Sequence, residues 1–149
     1  NGEQQTPFII HRAPLSTHER MISFLIELYG GAFPTWMAPL QVKLIPVNDD
    51  VLDYTREIEA TLRGNLFRAE IDTSDESFNK KIRNAVTNKT PNIWVIGSRE
   101  KEERKITWRR YASKLQQNVE LDHALHALTR MRTERLMDNF EDVNLPIGE

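Results

Sequence analysis

The apolar residues of the chain follow two spacings, which predict helices and strands in turn. In four segments they recur every three or four positions, as on one face of an α-helix: residues 21–29, 51–62, 78–86 and 121–131. Short runs rich in β-branched and aromatic residues separate these segments and predict strands at residues 40–47, 67–71, 93–97 and 105–109. After residue 39, strands and helices therefore follow one another in the order βαβαββα.

This order predicts an α/β fold, a three-layer sandwich in which helices flank a largely parallel sheet. Ligands of such sheets bind in the loops that follow the carboxyl ends of strands. In this chain those loops lie near Asn48, near Asp72 and at residues 97–100. We therefore expect a binding site among these loops.

An irregular linker separates the first helix from the later elements. Ser16 and Glu19 have the spacing of a capping box, and Gly30 and Gly31 end the helix that follows. Residues 32–39 contain two prolines and predict a linker between two modules. The chain also begins without a methionine, so we expect it to be a piece of a longer protein.

Composition narrows the class of protein. The chain has 149 residues, of which 39% are apolar and 28% charged, and this suits a domain of ordinary size with a buried core. No apolar run approaches the roughly 20 residues of a membrane-spanning helix, and no signal-peptide pattern is visible. We therefore expect a cytoplasmic protein without a membrane partner. The lack of cysteine excludes disulfides, cysteine–zinc sites and thiol catalysis.

Charged residues are unevenly distributed along the chain. Residues 80–114 carry eleven basic and three acidic side chains, a net charge of +8, whereas the remainder carries nine basic and nineteen acidic ones, a net charge of −10. A strongly basic stretch in an otherwise acidic chain is typical of a surface that contacts a polyanion. A solvated basic surface without a partner is the alternative that charge alone leaves open.

The sequence lacks the common catalytic patterns. It has no glycine-rich phosphate-binding loop and no G-x-S-x-G elbow. His123 and His126 are three residues apart on a predicted helix, a spacing that can align two metal ligands. No third ligand accompanies them, so we expect a pair of surface histidines.

Two long motifs resemble a known family. Residues 11–20 read HRAPLSTHER and residues 33–42 read FPTWMAPLQV, with an apolar helix between them. This block resembles threonyl-tRNA synthetase, in which it forms the third signature motif of the class II catalytic domain and the junction to the anticodon-binding domain. The resemblance covers nearly the whole chain and fades in the last helix. It includes the pattern D-x-x-x-E-x-x-x-x-K-I-R at residues 72–83 and single matches at Pro91, Gly97, Glu100, Lys105 and Arg109.

The resemblance implies a fold, a division into modules and a function. The fold is that of class II anticodon-binding domains, a mixed, mostly parallel sheet of about five strands flanked by helices. Residues 1–38 are expected to be the end of a catalytic domain plus a linker, residues 39–137 the anticodon-binding domain, and residues 138–149 a loosely held acidic tail. We interpret the chain as the part of a threonine–tRNA ligase that recognises the anticodon. The full-length enzyme attaches threonine to its tRNA using ATP.

The resemblance also implies roles for single residues. His11 corresponds to a zinc ligand and Arg20 to an arginine that contacts ATP in the full-length enzyme. The anticodon-binding positions are Glu100, Arg109, Lys89, Asp75 and Glu76. A carboxylate accepts hydrogen bonds from the Watson–Crick edge of guanine, and an arginine offers its fork of donors to a base or a phosphate.

The implied partner is the anticodon stem-loop of a threonine-specific tRNA. The implied cofactors are zinc and ATP with magnesium, and they belong to the full-length enzyme. Because a single histidine holds zinc poorly, we expect this chain to bind no cofactor and to catalyse nothing. The full-length enzyme is expected to be a homodimer through its catalytic domain, and this chain a monomer.

Four positions depart from the family pattern. Ser16 replaces the usual glycine, and Ser74, Asp75 and Ser77 replace an arginine, an asparagine and a lysine. An acid beside an RNA base loses a hydrogen-bond donor and repels phosphate. The alternative function is therefore a non-catalytic paralogue or accessory protein that uses the same fold for protein contacts or for sensing tRNA.

Overall fold

The structure is a computed structural model that describes residues 2–113 and 116–138. The chain divides into two compact units, Asn1–Gly31 and Ala32–Glu149. Residues 32–38, which the sequence analysis joins to the first module, belong to the second unit. The assignment of the first module to a catalytic domain stays a prediction.

Helix α1 (His18–Tyr29) lies in the first unit. It begins one residue later than the predicted capping box, because the hydroxyl of Thr17, rather than that of Ser16, accepts the backbone N–H of Arg20 at 3.4 Å. Ser16 precedes this cap in a left-handed conformation with a φ of 59°. Glycine adopts that conformation without strain, which is a physical reason for the glycine that the family usually has here. Gly30 ends the helix, as predicted, with a φ of 55°.

The second unit is built on a five-stranded sheet with the order β2-β1-β3-β4-β5. Its strands are β1 (Val42–Pro46), β2 (Ala69–Ile71), β3 (Asn92–Ile96), β4 (Lys105–Arg110) and β5 (Gln116–Glu120). Strand β1 pairs in parallel with β2 and with β3. Strand β4 pairs antiparallel with β3 and with β5. The predicted mixed sheet of about five strands is confirmed, and half of its four pairings are parallel.

Four helices of this unit accompany the sheet. They are α2 (Leu52–Gly64), which follows a short 3-10 turn, α3 (Phe78–Thr87), α4 (Ser98–Glu103) and α5 (Leu121–Thr133). The apolar periodicity predicted α2, α3 and α5, and these three are confirmed. Helix α4 and strand β5 were not predicted. None of the described helices is long and apolar enough to cross a membrane.

The main hydrophobic core lies between one face of the sheet and helices α2 and α5. Helix α2 contributes Ile58 and Leu62, α5 contributes Leu128, and all three side chains are fully buried. Trp94 on β3 and Trp108 on β4 meet on this face with ring centroids 5.4 Å apart. Their edge-to-face arrangement is one that aromatic pairs prefer. This core therefore spans both the parallel and the antiparallel pairings.

Helix α3 covers the other face of the sheet, but only over its parallel strands. Its Ala85 packs with Ile45 of β1 and Ile93 of β3 in a smaller buried cluster. The corresponding face of β4 and β5 has no such cluster among the described residues. The predicted three-layer arrangement is therefore complete over half of the sheet.

A buried polar cluster of Thr35, Asn92, Arg110 and Asp138 joins four segments of the second unit. Arg110 Nη1 donates to Asn92 Oδ1 at 2.7 Å and forms an ion pair with Asp138 Oδ2, also at 2.7 Å. The backbone N–H of Thr35 donates to Asp138 Oδ1 at 2.8 Å, and Asn92 Nδ2 donates to Thr35 Oγ1 at 2.9 Å. Asp138 is the first residue of the segment predicted to be loosely held, yet its side chain is fully buried. The rest of that segment, residues 139–149, lies outside the described residues.

Candidate nucleic-acid interface

The uncovered face of β4 and β5, here called the open face, presents a row of polar side chains. Burial alternates along β4: Ile106, Trp108 and Arg110 are buried on the core side, while the residues between them are half-buried. Because directly paired residues of neighbouring strands share a face, the pairing of β4 with β5 defines its members. They are Lys105, Thr107 and Arg109 on β4 with Glu120, Asn118 and Gln116 on β5.

Arg109 is the predicted site residue that this alternation places on the open face. Its Nε atom is buried and has no hydrogen-bond partner within the part of the chain that the structure describes. An unpaired buried donor costs free energy. The residue as a whole is half-buried, so the exposed part of its side chain can contact a molecule that lies on this face.

Glu100 is held beside the open face by two hydrogen bonds. The backbone N–H of Gly97 donates to its Oε2 at 3.0 Å, which caps helix α4, and the hydroxyl of Thr107 donates to its Oε1 at 2.8 Å. A carboxylate has about four acceptor positions, so two donors leave capacity for a ligand. Gly97 lies just after β3 and Thr107 lies on the open face, so the two donors hold the carboxylate from two sides and fix its direction.

A cleft of about 300 Å³ lies at the carboxyl ends of β1 and β2, where the sequence predicted a ligand. We call it the strand-end cleft. Its lining includes Asn48 after β1, Asp72 and Asp75 after β2, and Lys81 from α3. Pro46, Val47, Leu52 and Ile71 also line it, so the cleft offers polar and apolar contacts to about the same extent.

Ser74 organises the loop beside this cleft. Its backbone N–H and its hydroxyl donate to Asp72 Oδ1 at 3.1 and 2.6 Å. Burial of Asp72 works to raise the pKa of its carboxyl, but the hydrogen bonds from Ser74 and the charges of Lys43 and Lys81 together outweigh burial, so this pKa lies below its usual value. The departure from the family pattern at Ser74 therefore supplies a turn that stabilises a charged Asp72.

Asp75 and Glu76 differ in how available they are. Both are exposed. Glu76 forms an ion pair with Lys80 one helical turn further on, at 2.7 Å, so its charge is already compensated. Asp75 forms no ion pair with any described residue. Of these two acids, Asp75, which replaces the family's asparagine, is therefore the one that forms no ion pair with a described residue.

Lys89 lies away from these loops. It is exposed just after α3, with a φ of 53°, and precedes β3, whereas Glu100 follows β3. The structure thus places Glu100 beside the face that carries Arg109. It places Asp75, but not Glu76, in the lining of the strand-end cleft, and it separates Lys89 from Glu100 by the length of β3.

Most of the basic segment is internally neutralised. The basic residues of 80–114 that pair with acids are Lys80, Arg99, Lys101, Arg104, Lys105 and Arg110. The pair of Arg104 with Glu57 lowers the pKa of that carboxyl, and the Arg104 guanidinium also lies over the ring of Tyr54. Lys114 lies outside the described residues. The predicted +8 stretch is therefore not a continuous positive stripe. Arg109 is among its residues that form no ion pair with a described acid, as are Lys81 and Arg83.

His11 and Arg20 lie in the first unit, and both are exposed. Structural and catalytic zinc sites use three or four protein ligands. No group of three His, Cys, Asp or Glu side chains that could hold a metal exists in residues 2–113 and 116–138. The residues present therefore do not fit a zinc ion. His123 and His126 are exposed on α5, as predicted for a surface pair.

Of the six members of the open face, the sequence analysis named only Arg109 as a site residue, and it missed Lys105, Thr107, Gln116, Asn118 and Glu120. Thr107 orients Glu100, and Asn118 Nδ2 lies 3.5 Å from the Thr107 hydroxyl, to which it donates. The alternation of apolar and polar residues over 105–110 contained the signal for Thr107, because it places that residue on the face of Arg109. No comparable signal marks β5, whose one buried apolar residue is Val119.

Residues 41–131 match the family model described as "Anticodon binding domain". The threonine–tRNA ligase of Oceanobacillus iheyensis is 45% identical over 129 residues, which are 86% of this chain and 20% of that protein. The threonine–tRNA ligase of Listeria monocytogenes serotype 4a is 46% identical over 123 residues, 82% of this chain and 19% of that protein. The chain thus spans about a fifth of the length of these curated relatives.

A solved structure also resembles this chain. It is the RNA binding domain of threonyl-tRNA synthetase from Cryptosporidium parvum Iowa II, with a TM-score of 0.73 and 28% sequence identity. The match covers 76% of this chain and 28% of that one.

Proposed function

The chain belongs to the family of anticodon binding domains, and from that premise we propose that it binds the anticodon loop of a tRNA as part of a threonine–tRNA ligase. Its partner would be the anticodon stem-loop of a threonine-specific tRNA. In the full-length protein the ligase would join threonine to this tRNA at the expense of ATP, with Arg20 contacting ATP.

The proposal rests on Arg109, a member of the open face, and on Glu100, which is held beside that face. Glu100 offers a carboxylate whose direction is fixed by Gly97 and Thr107, and Arg109 offers donors that no described acid compensates. Base recognition needs an acceptor and a donor near one another, because a base edge carries both donors and acceptors, and Glu100 and Arg109 supply one of each.

Guanine is the base that this pair suits best. Its Watson–Crick edge carries N–H donors that a carboxylate accepts, and its O6 and N7 acceptors suit an arginine fork. Discrimination would then depend on Glu100, because a base without those N–H donors leaves the carboxylate unpaired and desolvated. Asp75, Glu76 and Lys89 would contribute to the surroundings of the loop and not to the reading of this base.

Titration of the isolated chain with a threonine-tRNA anticodon stem-loop tests the proposal. The same loop with its guanine replaced is the comparison, and both are titrated at two salt concentrations. Glu100→Gln should reduce the ratio of the two affinities, since the amide keeps an acceptor but loses the charge-assisted bond. Glu102→Gln, an exposed acid of the same helix without a described partner, should leave that ratio unchanged.

The second candidate function, a paralogue that uses the fold without reading an anticodon, is favoured by the uncompensated charge of Asp75 at the strand-end cleft. It predicts equal affinities for the two stem-loops in the unaltered chain. It also predicts that Glu100→Gln and Glu102→Gln behave alike. That pair of results would reject anticodon reading in favour of this candidate.

A further inference from the structure

Three arginines outside the basic segment form a second positive surface, here called the arginine patch: Arg68, Arg132 and Arg135. The Arg132 guanidinium lies 4.3 Å from the centroid of the Phe67 ring. That of Arg135 lies 6.0 Å from the centroid of the Trp36 ring. Because Trp36 precedes β1 and Phe67 precedes β2, the patch lies at the amino ends of the parallel strands, opposite the strand-end cleft.

The charges of this patch are held in place without being neutralised. Arg132 Nη1 donates to the backbone carbonyl of Asn65 at 2.7 Å. Arg68 donates to the backbone carbonyls of Ala38 and Pro39 at 2.7 and 3.1 Å. Carbonyls and aromatic rings orient a guanidinium but carry no negative charge. None of the three arginines pairs with a carboxylate of the described residues.

Two arginines near the patch differ from its members because each is paired with a carboxylate. Arg63 at the end of α2 pairs with Glu59 at 2.8 Å, and Arg130 on α5 pairs with Glu134 at 3.1 Å. A guanidinium that stacks on a ring keeps the N–H donors at its edge available. Arg135 is exposed and Arg132 half-buried, so both can be reached from solvent.

We propose that the arginine patch binds the phosphodiester backbone of the RNA whose anticodon the open face reads. The proposal rests on the proposed function for the identity of the RNA. Its own support is charge complementarity: fixed, uncompensated guanidinium forks match phosphate oxygens in geometry and charge. Backbone contacts position an RNA without reading its sequence, so the patch would add affinity and set the register of the loop on the open face.

Stabilisation of helix α5 is the role that these side chains would have without RNA. Basic residues near the end of a helix interact favourably with its dipole, which affects folding but not binding. The salt dependence of RNA binding separates the two roles. Each phosphate contact contributes about 0.7 to 0.9 to the slope of log affinity against log salt, whereas a helix dipole contributes nothing to that slope.

The test compares the double variant Arg132→Gln, Arg135→Gln with Arg63→Gln in the full chain of 149 residues. The probes are the threonine-tRNA anticodon stem-loop and the guanine-replaced loop, titrated over a series of salt concentrations. The double variant should bind both loops more weakly by the same factor and should lose about 0.7 to 0.9 from the salt slope for each contact removed. The affinity ratio of the two loops should not change.

The control arginine fixes the interpretation. Arg63 lies at the same end of the sheet but is already paired, so Arg63→Gln should retain the salt slope of the unaltered chain. If the double variant has the same salt slope and affinity as Arg63→Gln, the proposal is wrong. The arginine patch would then serve to stabilise α5 or to bind a partner other than RNA. If the unaltered chain binds both loops with equal affinity, the proposed reading of the anticodon is wrong. A reduced salt slope in the double variant would even then support phosphate binding by the arginine patch.

Two further measurements guard against a folding defect. The unfolding midpoint of the double variant in urea shows whether it remains folded under the binding conditions. Arg135→Lys keeps the charge on an exposed side chain, so it should keep the salt slope even if the stacking on Trp36 is lost. A slope reduced as strongly by Arg135→Lys as by Arg135→Gln would contradict a contact based on charge.

Discussion

The parallel and antiparallel halves of the sheet differ in how they are covered. Strands β1 to β3 pack against α2 on one face and α3 on the other, whereas β4 and β5 pack against α5 on one face. The burial patterns follow this difference, since every residue of β3 is buried and burial alternates along β4. Parallel strands covered on both faces are typically apolar throughout, and antiparallel strands with one wet face alternate.

The difference separates scaffold from recognition. A strand buried on both faces has no position for a side chain that must meet a ligand, so its chemistry is limited to the loop at its end. A strand with one open face offers every second residue. Arg109 and Thr107 occupy such positions, and Glu100 is bound to the second of them.

The buried polar cluster is where the two halves are joined. Asn92 on β3 and Arg110 on β4 are paired in register and bonded through their side chains. Thr35 from the linker and Asp138 from beyond α5 complete the cluster. One set of contacts therefore holds the linker, the seam of the sheet and the segment after its last helix.

Asp138→Ala should have the largest effect of the changes considered. Removing one partner of a buried ion pair leaves the other charge without compensation, which costs about 3–5 kcal/mol. The side chains of Arg110 and Asp138 are 9% and 0% exposed, so water cannot replace the lost carboxylate. The free energy of unfolding in urea should fall by about that amount, with the backbone N–H of Thr35 contributing to the loss.

An exposed pair nearby provides the control for that measurement. Glu134→Ala removes the partner of Arg130, where the carboxylate is 47% exposed, and should cost roughly 0–1 kcal/mol. Equal losses for Asp138→Ala and Glu134→Ala would mean that the cluster does not join the halves.

Arg109→Ala should weaken RNA binding with little effect on stability, because its side chain faces away from the core. A lost contact between an arginine fork and a base costs about 1–3 kcal/mol of binding free energy. The measurement is the dissociation constant for the threonine-tRNA anticodon stem-loop, with Arg63→Ala as the paired, distant arginine. A loss of stability of similar size to the loss of binding would assign Arg109 to the scaffold and not to recognition.

The fold was predictable wherever apolar residues dominate the pattern. Helices α2, α3 and α5 each place a buried apolar stripe against the sheet, and β3 is a continuous apolar run. Helix α4 reads SREKEE, which has no apolar stripe. Its one local signal is the spacing of three residues between Gly97 and Glu100, at which the glutamate accepts the N–H of the N-cap residue. Strand β5 has one buried apolar residue, Val119, and is polar because one of its faces is open.

The candidate site was predictable in part, and Arg109 and Arg110 explain the limit. They are adjacent and identical in type, so a count of charges treats them alike. The period of two along β4 sends Arg110 into a buried ion pair and Arg109 to the open face. Asp138, the ion-pair partner of Arg110, is 28 residues further along the chain. No local pattern predicts a partner at that distance. The pairs of Lys80, Arg99 and Lys105, by contrast, lie within four residues in the chain and can be read from the sequence.

Ser74→Ala tests the loop that belongs to the parallel half. Losing both the hydroxyl and its bond to buried Asp72 should cost about 1 kcal/mol of stability at neutral pH. The pKa of Asp72 lies below its usual value, so its ionised form stabilises the fold above the unfolded-state pKa, and this contribution disappears as pH falls through the folded-state pKa. The stability difference between Ser74→Ala and the unaltered chain should therefore be largest near pH 7 and shrink in acid. A difference that is constant from pH 7 to about pH 3 would show that the variant acts through packing alone.

Asp75→Asn should have the smallest effect, and its sign is what matters. The Asp75 carboxylate is exposed beside the strand-end cleft and is not paired with a described residue, so it repels the phosphates of a bound loop through water. Exposed charges interact with at most about 1 kcal/mol, and salt screens them within roughly 8–10 Å. The asparagine variant should therefore bind the stem-loop slightly more tightly, with a gain that vanishes at high salt. Asp122→Asn removes an equally exposed acid in the first turn of α5, at the opposite end of this helix from Arg132 and Arg135, and should change nothing. Weaker binding by Asp75→Asn would mean that this carboxylate accepts a hydrogen bond from the RNA, which would extend the recognition surface from the antiparallel half to the end of the parallel one.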